Sequence, residues 1–433
     1  MGCTDPSAAI GRDILRLARS WNTSAGGCVL YHMVGVAGLV RRHAALWRRC
    51  EGKLGPPLRR QYTLREQAQR EAQAAKFLSG MGASLRHHSD GIAHQAEIQR
   101  AFAVFARTAL DWNTRQLKLF CEGDFPKMAR RLAEEARHFD LGVSAADVFQ
   151  ASRNVWTAGA LQVLLRRPVE LTPALFGYSM LYPYTDNHLD DPKTPAATKR
   201  AFNCCLQARL RGEPAEPGNE RLRKVFALVE RIERQYERSR YPGVYRSLLA
   251  IQKAQEESVN LRRETRLSIT EVLRRVVAKG GTSVLADAYL AAGRLRPVEE
   301  EFAFGWGVLL QFADDLQDVA QDLAGGAATL FSEPAGRQPL DEVTNRVFAF
   351  GNCVFARLHA FAAPGAGPLK QFIRRNAALL LTTAAGAAHH LYTRSYIQAL
   401  EKHSPFRFAF VRQYRERFFG DTGLLVRLVA AAE

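Results

Sequence analysis

Residues 304–322 read FGWGVLLQFADDLQDVAQD, an apolar segment that ends in carboxylates. Three of these, Asp314, Asp318 and Asp322, recur at i, i+4 and i+8, so on a helix they lie along one face, with Asp315 beside the first. Carboxylates held together at the edge of an apolar core repel one another, and a hard cation such as Mg²⁺ relieves that repulsion. Taken alone, the stretch predicts either a metal-binding face or the solvated face of an amphipathic helix.

A second run of the same kind lies earlier in the chain, where residues 174–192 read ALFGYSMLYPYTDNHLDDP. An aromatic segment again runs into carboxylates: Asp186 and Asp190 are one helical turn apart, and Asp191 follows. Pro183 predicts a kink just before them. Side by side in a bundle, the two helices would present facing acidic rims that hold several Mg²⁺ ions, and the ions would hold a diphosphate. The pair favours metal binding more strongly than either run alone.

The rest of the chain is helical in pattern. Almost every segment longer than about ten residues has helical periodicity, and no alternating β-branched run stands out. Ser144 with Asp147, and Thr172, are predicted N-caps. We therefore predict an all-α protein whose short connections favour one large single bundle with a central cavity. Residues 171–433 would form its catalytic core, and residues 1–170 would complete the bundle or cap it.

The composition says more about the cellular compartment of the protein than about its binding partner. The 433 residues include 60 Lys and Arg against 43 Asp and Glu, a net charge of +17 that permits nucleic acid, an anionic membrane or a polyanionic substrate. Seven irregularly spaced cysteines without a CxxC motif predict free thiols in a reducing compartment. The start has no secretory signal, and Pro6 stands where a myristoylation signal requires Ser or Thr. No run reaches the roughly 18 apolar residues of a membrane span, so we predict a soluble, cytoplasmic protein.

The two acidic runs resemble the aspartate-rich motifs of the class I isoprenoid synthase superfamily. DNHLDD is similar to the DxxxDD form of squalene and phytoene synthases, and QFADDLQD matches the QxxDDxxD pattern of trans-polyprenyl diphosphate synthases. The large bacterial terpene synthases related to tetraprenyl-β-curcumene synthase have a DNxxD first motif, and LREQAQREAQAAKFLSGMG is more weakly similar to their early segment. The motif-bearing likeness spans about residues 174–330, with a fainter extension over about 40–82.

The family likenesses disagree about the second motif. LQDVAQD resembles the LRDVGED stretch of phytoene synthases, which shifts the motif by four residues relative to QFADDLQD. Either Asp314 and Asp318 or Asp318 and Asp322 would then be the working pair. We expect the first pair to work, with Asp322 in support.

The resemblance implies Mg²⁺ chemistry at these carboxylates. Three Mg²⁺ ions, replaceable by Mn²⁺, would bridge them to the diphosphate of a polyprenyl substrate; the diphosphate leaves and an allylic carbocation remains. The ions neutralise charge that grows on the leaving oxygens as the C–O bond breaks. Asp186, Asp190, Asp314 and Asp318 would be the catalytic carboxylates. The implied metal ligands are Asp186, Asp190, Asp191, Asp314, Asp315, Asp318 and Asp322.

Basic side chains would complete the clamp on the diphosphate. The candidates are Arg240, Arg246, Lys253, Lys279 and Arg394. Lys279 precedes Gly280 and Gly281, which are predicted to interrupt a helix and to aim backbone groups or Thr282 at the diphosphate. The alternative for these glycines is a plain helix–helix turn.

A carbocation needs a dry pocket with unreactive walls. Aromatic faces stabilise cations, and Tyr178 and Tyr182 lie one or two turns before the first motif, as Phe304 lies before the second. Gln311 lies one turn before the acidic face and is a further pocket candidate. Ordinary core packing is the alternative for the aromatic residues.

The first-ranked function is a terpene synthase that ionises a linear polyprenyl diphosphate and then cyclises the cation or eliminates a proton. It ranks first because DNHLDD is not the DDxxD motif of chain-elongating synthases. A prenyltransferase, either head-to-head or chain-elongating, is the alternative, because QFADDLQD resembles that class. The resemblance implies a homodimer, which is the common oligomeric state of the superfamily. A lipid-like substrate also allows weak peripheral association with a membrane.

The rival from another class is a non-enzymatic basic helical protein that binds nucleic acid or an anionic membrane. The arginines of residues 221–240 and 262–275 motivate it. However, Glu230, Glu233 and Glu237 interleave with the first set, as on a solvated helix, whereas a phosphate-binding face excludes acids. We therefore expect no nucleic-acid partner.

Overall fold

The computed structural model describes residues 35–53, 60–84, 92–191, 193–259 and 267–419. Within these ranges only the backbone is described at residues 81–84, 92–96, 190, 259 and 415–419. All regular structure in the described ranges is helical, without a β-strand, which confirms the all-α prediction.

The helices are numbered in chain order. The first nine are α1 (Val36–Arg49), α2 (Leu64–Ser84), α3 (Ile92–Ala109), α4 (Thr114–Leu117), α5 (Asp124–Phe139), α6 (Ala145–Leu164), α7 (Pro173–Asp190), α8 (Ala196–Arg211) and α9 (Glu220–Gln235). The others are α10 (Pro242–Val259), α11 (Ile269–Ala292), α12 (Pro297–Gln317), α13 (Val319–Gly325), α14 (Asp341–Ala356), α15 (Ala366–Ala387), α16 (Arg394–Glu401) and α17 (Phe408–Phe419). A π-helical turn, Lys118–Glu122, follows α4, and 3₁₀ turns follow α14 (Arg357–Ala360) and α15 (His389–Leu391).

Helix α11 is the central element. It packs against α1, α6, α7, α10 and α12, and most of its residues from Val272 to Leu290 are buried. Such a helix is apolar all round because neighbours cover every face. Helix α6 packs against both α7 and α11, so the packing crosses the division predicted at residue 170, and residues from Val36 onward form one compact unit.

The predicted interruption of a helix at Gly280 and Gly281 is wrong, because α11 runs unbroken through both residues. These glycines instead allow α11 and α12 to pack closely. A Cβ on Gly307 would overlap the carbonyl oxygen of Gly280, and a Cβ on Gly281 would overlap the Phe304 ring. Thr282 donates its hydroxyl to the carbonyl of Ala278 in its own helix rather than to a cavity.

The acidic stretch over residues 304–322 is divided between two helices at Asp318. This residue has φ −97° and ψ 5°, ends α12 and precedes α13. Its N–H still bonds the carbonyl of Asp314 at 3.0 Å, and the Asp322 N–H bonds its carbonyl at 2.9 Å. The i, i+4 backbone pattern therefore survives the change of direction, inside the acidic motif itself.

Local capping signals in the sequence are confirmed. Ser144 accepts a hydrogen bond from the Asp147 N–H and Asp147 returns one to the Ser144 N–H, a reciprocal capping box at the start of α6. Thr172 caps α7 by accepting from the Leu175 N–H. Helix α7 continues through Pro183 and ends in the acidic motif.

Some sequence predictions fall outside the described residues. These are the N-terminal signals and first two cysteines (residues 1–34) and the arginines at 262–266. The described cysteines, at 50, 121, 204, 205 and 353, are free thiols, as predicted. In the described part of the chain, the helices are all too short or too polar to cross a membrane.

Candidate active site

The first acidic motif lies beside the N-terminal half of α11. Gln255 of α10 donates its amide to Asp186 Oδ1 at 2.8 Å. Two residues further along α10, Glu257 forms an ion pair with Arg274 of α11 at 2.9 Å. Since one helical turn rises only about 5 Å, Asp186 lies near the level of this first part of α11.

The second motif lies beside the same half of α11. The Gln311 side chain of α12 packs against Gly280, where a Cβ would overlap it. Asp315 lies one turn after Gln311 on α12. The Lys279 ammonium of α11 is close enough to Asp315 to lower the pKa of that carboxyl. The fold therefore brings the two motifs to one end of the bundle, although the chain separates them by more than a hundred residues.

Asp315 is the buried carboxyl of the second motif. Only 7% of it is exposed; Gln311 donates to its Oδ1 at 2.8 Å, and its Oδ2 is buried without a hydrogen-bond partner. Burial raises the pKa of Asp315 to about 7, and the charge of Asp314 beside it acts in the same direction. Lys279 and the Gln311 hydrogen bond only partly offset this rise.

Asp314 points outward and meets a base from a different helix. Arg153 of α6 approaches Asp314 Oδ1 to 3.5 Å, with the Arg153 side chain largely exposed and the Asp314 side chain partly exposed. Such a long, exposed contact contributes little to stability. Arg153 was not among the predicted phosphate ligands, because nothing in its local sequence marks it; only the packing of α6 brings it to the motif.

The other carboxylates of the motifs have different surroundings. Asp318 and Asp322 are partly exposed around the junction of α12 and α13. Asp191 accepts hydrogen bonds from the Lys193 N–H and the Thr194 hydroxyl, both at 2.9 Å, and these bonds lower its pKa. Its oxygens thus stabilise the turn after α7. The side chain of Asp190 is outside the described part of the chain.

The motif carboxylates do not form a single cluster. Among the side chains that the structure describes, which leave out Asp190, no three His, Cys, Asp or Glu side chains come together as a metal-holding group. The carboxylates of α7 and of α12 lie beside α11 as two separate groups.

The predicted phosphate ligands are scattered. Lys279 lies at the acidic end, whereas Arg240 and Arg246 lie at the other end of α11, where Arg246 faces Glu300. This end is roughly 20 Å along the helix from Lys279, so these two arginines are not brought to the motifs. Lys253 is exposed and lies 3.9 Å from Glu257.

Arg394 opens α16 on another side of the bundle. Thr393 directly before it accepts from the Tyr396 N–H, and its own N–H donates to Asp341, the first residue of α14. Helix α14 packs along α12, with Gly351 against Leu309. Arg394 is exposed at this position.

A narrow cleft opens beside the first motif. It has a volume of about 20 Å³ and is lined by α7, α8 and α10. Its apolar lining consists of Leu181, Leu206, Leu210, Leu248 and Ile251. Its polar lining consists of Tyr178, Tyr182, Thr185, Gln252 and Gln255. Phe304, by contrast, is fully buried 4.9 Å from the His43 ring, in the core between α1 and α12.

A buried carboxyl that the sequence motifs do not include lies behind the cleft. Asp287 of α11 is 0% exposed, and neither of its oxygens has a hydrogen-bond partner. Burial raises its pKa well above the ordinary value, and the nearby Asn154 amide opposes this rise. The signal in the sequence was a single acid within the apolar run SVLADAYLAA.

Three arginines of α9 are paired with acids. Arg223 pairs with Glu220 at 2.7 Å, Arg234 with Glu230 at 2.7 Å, and Arg231 with Glu135 of α5 at 3.0 Å. Arg209 of α8 also pairs with a glutamate of α9, Glu233. These pairs agree with the interpretation of residues 221–240 as a solvated, ion-paired helix.

Comparisons of the chain with protein-family models, with curated proteins and with solved structures find no match.

Proposed function

We propose that the chain is a Mg²⁺-dependent class I isoprenoid synthase that ionises a linear polyprenyl diphosphate, releases diphosphate, and cyclises the cation or eliminates a proton from it. The observation that supports this is that the two aspartate-rich motifs both lie beside the N-terminal half of α11, with Lys279 and Arg153 next to the second motif. The carboxylates belong to the two sequence motifs. Lys279 and Arg153 come from α11 and α6, which lie outside the motifs.

The carboxylates suit Mg²⁺ in their chemistry. Mg²⁺ prefers hard oxygen ligands and is usually held by one or two carboxylates together with substrate phosphates. Asp186 on one side, and Asp314 with Asp315 on the other, would hold it in this way. The buried Oδ2 of Asp315, which has no hydrogen-bond partner, is an acceptor of the required kind. When bound, Mg²⁺ would neutralise charge on the leaving diphosphate.

The chain's own residues would position the diphosphate and exclude water. Lys279 and Arg153 are cationic donors on α11 and α6, next to the second motif, and charge-assisted hydrogen bonds to phosphate oxygens are stronger than neutral ones. Arg153 is mostly exposed, so it can leave Asp314 for a phosphate at little cost. The apolar lining of the cleft would keep water from the cation.

The cleft must widen to receive a prenyl chain. Its volume of about 20 Å³ is close to the room that one water molecule needs. Substrate binding therefore requires that the leucines and isoleucine of α8 and α10 move away from α7. Hydrogen exchange of these helices would then change on addition of Mg²⁺ and substrate.

The deciding experiment measures diphosphate release with Mg²⁺ and geranyl, farnesyl or geranylgeranyl diphosphate, with and without isopentenyl diphosphate. Hydrocarbon or alcohol products without isopentenyl diphosphate support the terpene synthase. Products that require isopentenyl diphosphate support chain elongation, and products that join two identical prenyl chains support head-to-head condensation.

Substitution of the motifs tests the site itself. Asp186→Ala and Asp314→Ala should each reduce diphosphate release at least about 100-fold, because each removes a carboxylate anchor from a different side of the site. Asp124→Ala is the matched control, since Asp124 is an exposed carboxylate paired with Lys127 on α5. Full activity of both motif variants would overturn the site assignment.

The binding-protein alternative predicts a different result. It requires salt-sensitive binding to DNA or to anionic vesicles, with no Mg²⁺-dependent chemistry. The paired arginines of α9 count against it, because their charge is already balanced by glutamates.

A further inference from the structure

A second cavity lies near the turn between α11 and α12. It has a volume of about 300 Å³ and is lined by residues 164–166 at the end of α6, by Arg296 and Glu299 at the start of α12, and by residues 360–362 after α14. Pockets that hold small molecules have volumes of about 300–1,000 Å³. This cavity therefore has room for a small ligand as it stands, unlike the cleft of about 20 Å³ beside the first motif.

The cavity is remote from the acidic motifs. Arg167, directly after the lining residues of α6, donates to the carbonyl of Ala292, the last residue of α11, at 3.4 Å. Ala292 and Lys279 are roughly 20 Å apart along α11. A ligand in this cavity would therefore occupy a site separate from the one proposed at the acidic end.

Arg166 in the cavity wall has an unusual backbone conformation. Its φ is +57°, in the left-handed region that is strained for a residue with a Cβ. Its N–H bonds the carbonyl of Val163 at 3.2 Å, and the Arg167 N–H bonds the carbonyl of Gln162 at 2.7 Å. This is the Schellman ending of a helix, in which glycine is the usual left-handed residue.

Other helices of the protein follow the usual rule. Helices α8, α11 and α13 end at Gly212, Gly293 and Gly326, all with positive φ. Among the described residues, the non-glycine residue other than Arg166 with positive φ is Asp111, a residue type that tolerates this conformation. Strained positions of this kind concentrate at functional sites. The long basic side chain of Arg166 is therefore the feature to explain.

The Arg166 guanidinium is only partly used by the fold. It donates to the carbonyl of Ala362 at 2.7 Å, across the cavity wall, and its other N–H groups have no acceptor among the described residues. The residue is exposed rather than enclosed by packing. It thus presents unused donors and a positive charge at the cavity.

The acid in the cavity wall does not neutralise Arg166. Glu299 accepts from the Arg296 N–H through Oε2 at 2.7 Å, and from the Arg296 guanidinium through Oε1 at 2.8 Å. Both carboxylate oxygens are therefore occupied by Arg296. With two arginines and one glutamate in its lining, the cavity is positive overall.

We propose that this cavity is a second ligand site, which binds a small organic molecule through a phosphate group held by Arg166, with Arg296 as the second cation. Guanidinium groups form strong, charge-assisted hydrogen bonds to phosphate oxygens. A phosphate carries about 1.5 to 2 negative charges near pH 7 and has oxygens in several directions, which suits cations on two walls better than a planar carboxylate. Leu164, Leu165 and Phe361 provide apolar lining for the carbon part of the ligand.

The inference goes beyond the proposed function and does not depend on it, since the site needs neither Mg²⁺ nor a prenyl chain. The test is isothermal titration calorimetry of the full chain with inorganic phosphate, in EDTA and at constant ionic strength. The wild-type protein is expected to bind phosphate at one site. Arg166→Asn should weaken this binding at least about tenfold, the loss of a charged hydrogen bond.

Two further variants locate the site. Asn tolerates the left-handed conformation, so Arg166→Asn should melt near the wild-type temperature without phosphate. Arg296→Gln, which changes an exposed side chain, should also weaken binding and tests the site even if Arg166→Asn does not fold. Arg153→Gln is the matched control, because it removes the same charge at the acidic end and should keep the wild-type affinity.

Several outcomes would overturn the second site. These are a wild-type protein that does not bind phosphate, unchanged affinity in both Arg166→Asn and Arg296→Gln, and equal weakening by Arg153→Gln. Acetate that binds as tightly as phosphate would overturn the assignment of the phosphate group. A failure of this kind leaves the proposed function standing, because that function is judged by Mg²⁺-dependent diphosphate release from prenyl diphosphates.

Discussion

The α11–α12 hairpin contains buried acids near both of its ends, and the acids at the two ends have different hydrogen-bond and ion-pair partners. Near its turn, Glu300 receives the Tyr289 hydroxyl. Glu301 accepts from Arg42 Nε at 2.6 Å through one oxygen, and its other oxygen, which has no hydrogen-bond partner, lies 3.6 Å from His43 Nε2 and 3.9 Å from a guanidinium nitrogen of Arg357. At the acidic end, Asp315 receives one hydrogen bond from Gln311, while its second oxygen is buried without a partner.

The difference lies in the surroundings of the carboxyl oxygens: a hydroxyl donates to Glu300 and cationic side chains surround Glu301, whereas one oxygen of Asp315 has no partner. A paired buried acid is satisfied in place, whereas an unsatisfied one costs stability that packing alone does not require. Consistency between local chemistry and fold is expected throughout a stable protein except at functional sites. We therefore expect a functional role for the buried acid at the acidic end, and a structural role for the buried acids near the turn.

The largest expected effect is the pH dependence of stability from Asp315. Its pKa is raised from 3.8 to about 7, so between these pH values the unfolded chain has lost the proton and the folded chain keeps it. The free energy of unfolding should therefore fall as pH rises from about 4 to 7, by up to about 4 kcal/mol, and then level off. Asp315→Asn should remove this loss and be more stable than the wild type at pH 7 to 8, as measured by urea denaturation.

Asp140 is a control, because its pKa is shifted in the direction opposite to that of Asp315. Burial raises its pKa, but hydrogen bonds from Lys224 and Tyr184 outweigh this and lower the net value. It stabilises the protein above its unfolded pKa and loses this contribution as pH falls, so Asp140→Asn should be less stable than the wild type at pH 7. An Asp315→Asn variant that parallels Asp140→Asn would show that hydrogen bonds outweigh burial at Asp315, as they do at Asp140.

A smaller effect on stability is expected at the close contact between α11 and α12, which lies between the two ends of the hairpin. Gly307→Ala would place a methyl group against the carbonyl oxygen of Gly280, so the helices must move apart. We expect a loss of about 1–3 kcal/mol in the free energy of unfolding. Gly325→Ala, at the end of α13 with open space around it, should change stability by less than about 0.5 kcal/mol. Equal effects in the two variants would contradict the close packing.

The smallest change in stability is expected for the exposed ion pairs at the two ends of α12. Arg153 pairs loosely with Asp314 at one end, and Arg296 pairs with Glu299 at the other, at 2.8 Å. Arg153→Gln and Arg296→Gln should each change stability by less than about 1 kcal/mol. Only Arg153→Gln should raise the KM for the prenyl diphosphate, by about tenfold, the loss of a charged hydrogen bond. Equal KM values in the two variants would remove Arg153 from the site.

Helix class, capping and the acidic motifs could be predicted from the sequence because their signals are local. The capping box of Ser144 and Asp147 spans three residues, and the periodicity of α12 spans a few turns. The motif carboxylates were found for the same reason. The division of α12 at Asp318 was missed, because nothing near it in the sequence breaks a helix.

The members of the site that lie outside the motifs could not be predicted in this way. Arg240 and Arg246 were as plausible as Lys279 in sequence, and only the direction of α11 puts them at the wrong end. Arg153 reaches Asp314 through the packing of α6, over 161 positions of chain.

The amino-acid sequence by itself determined that this protein is helical, where several of its helices begin, and which two segments concentrate carboxylates, since each of these depends on residues within a few turns of one another. The tertiary structure alone decided that Gly280 and Gly281 join two helices instead of breaking one, that the two motifs lie beside the same half of α11, and that one oxygen of Asp315 is buried without a hydrogen-bond partner. The physical reason is that close approach, burial and charge pairing depend on which helices become neighbours, and that is a property of the packed chain.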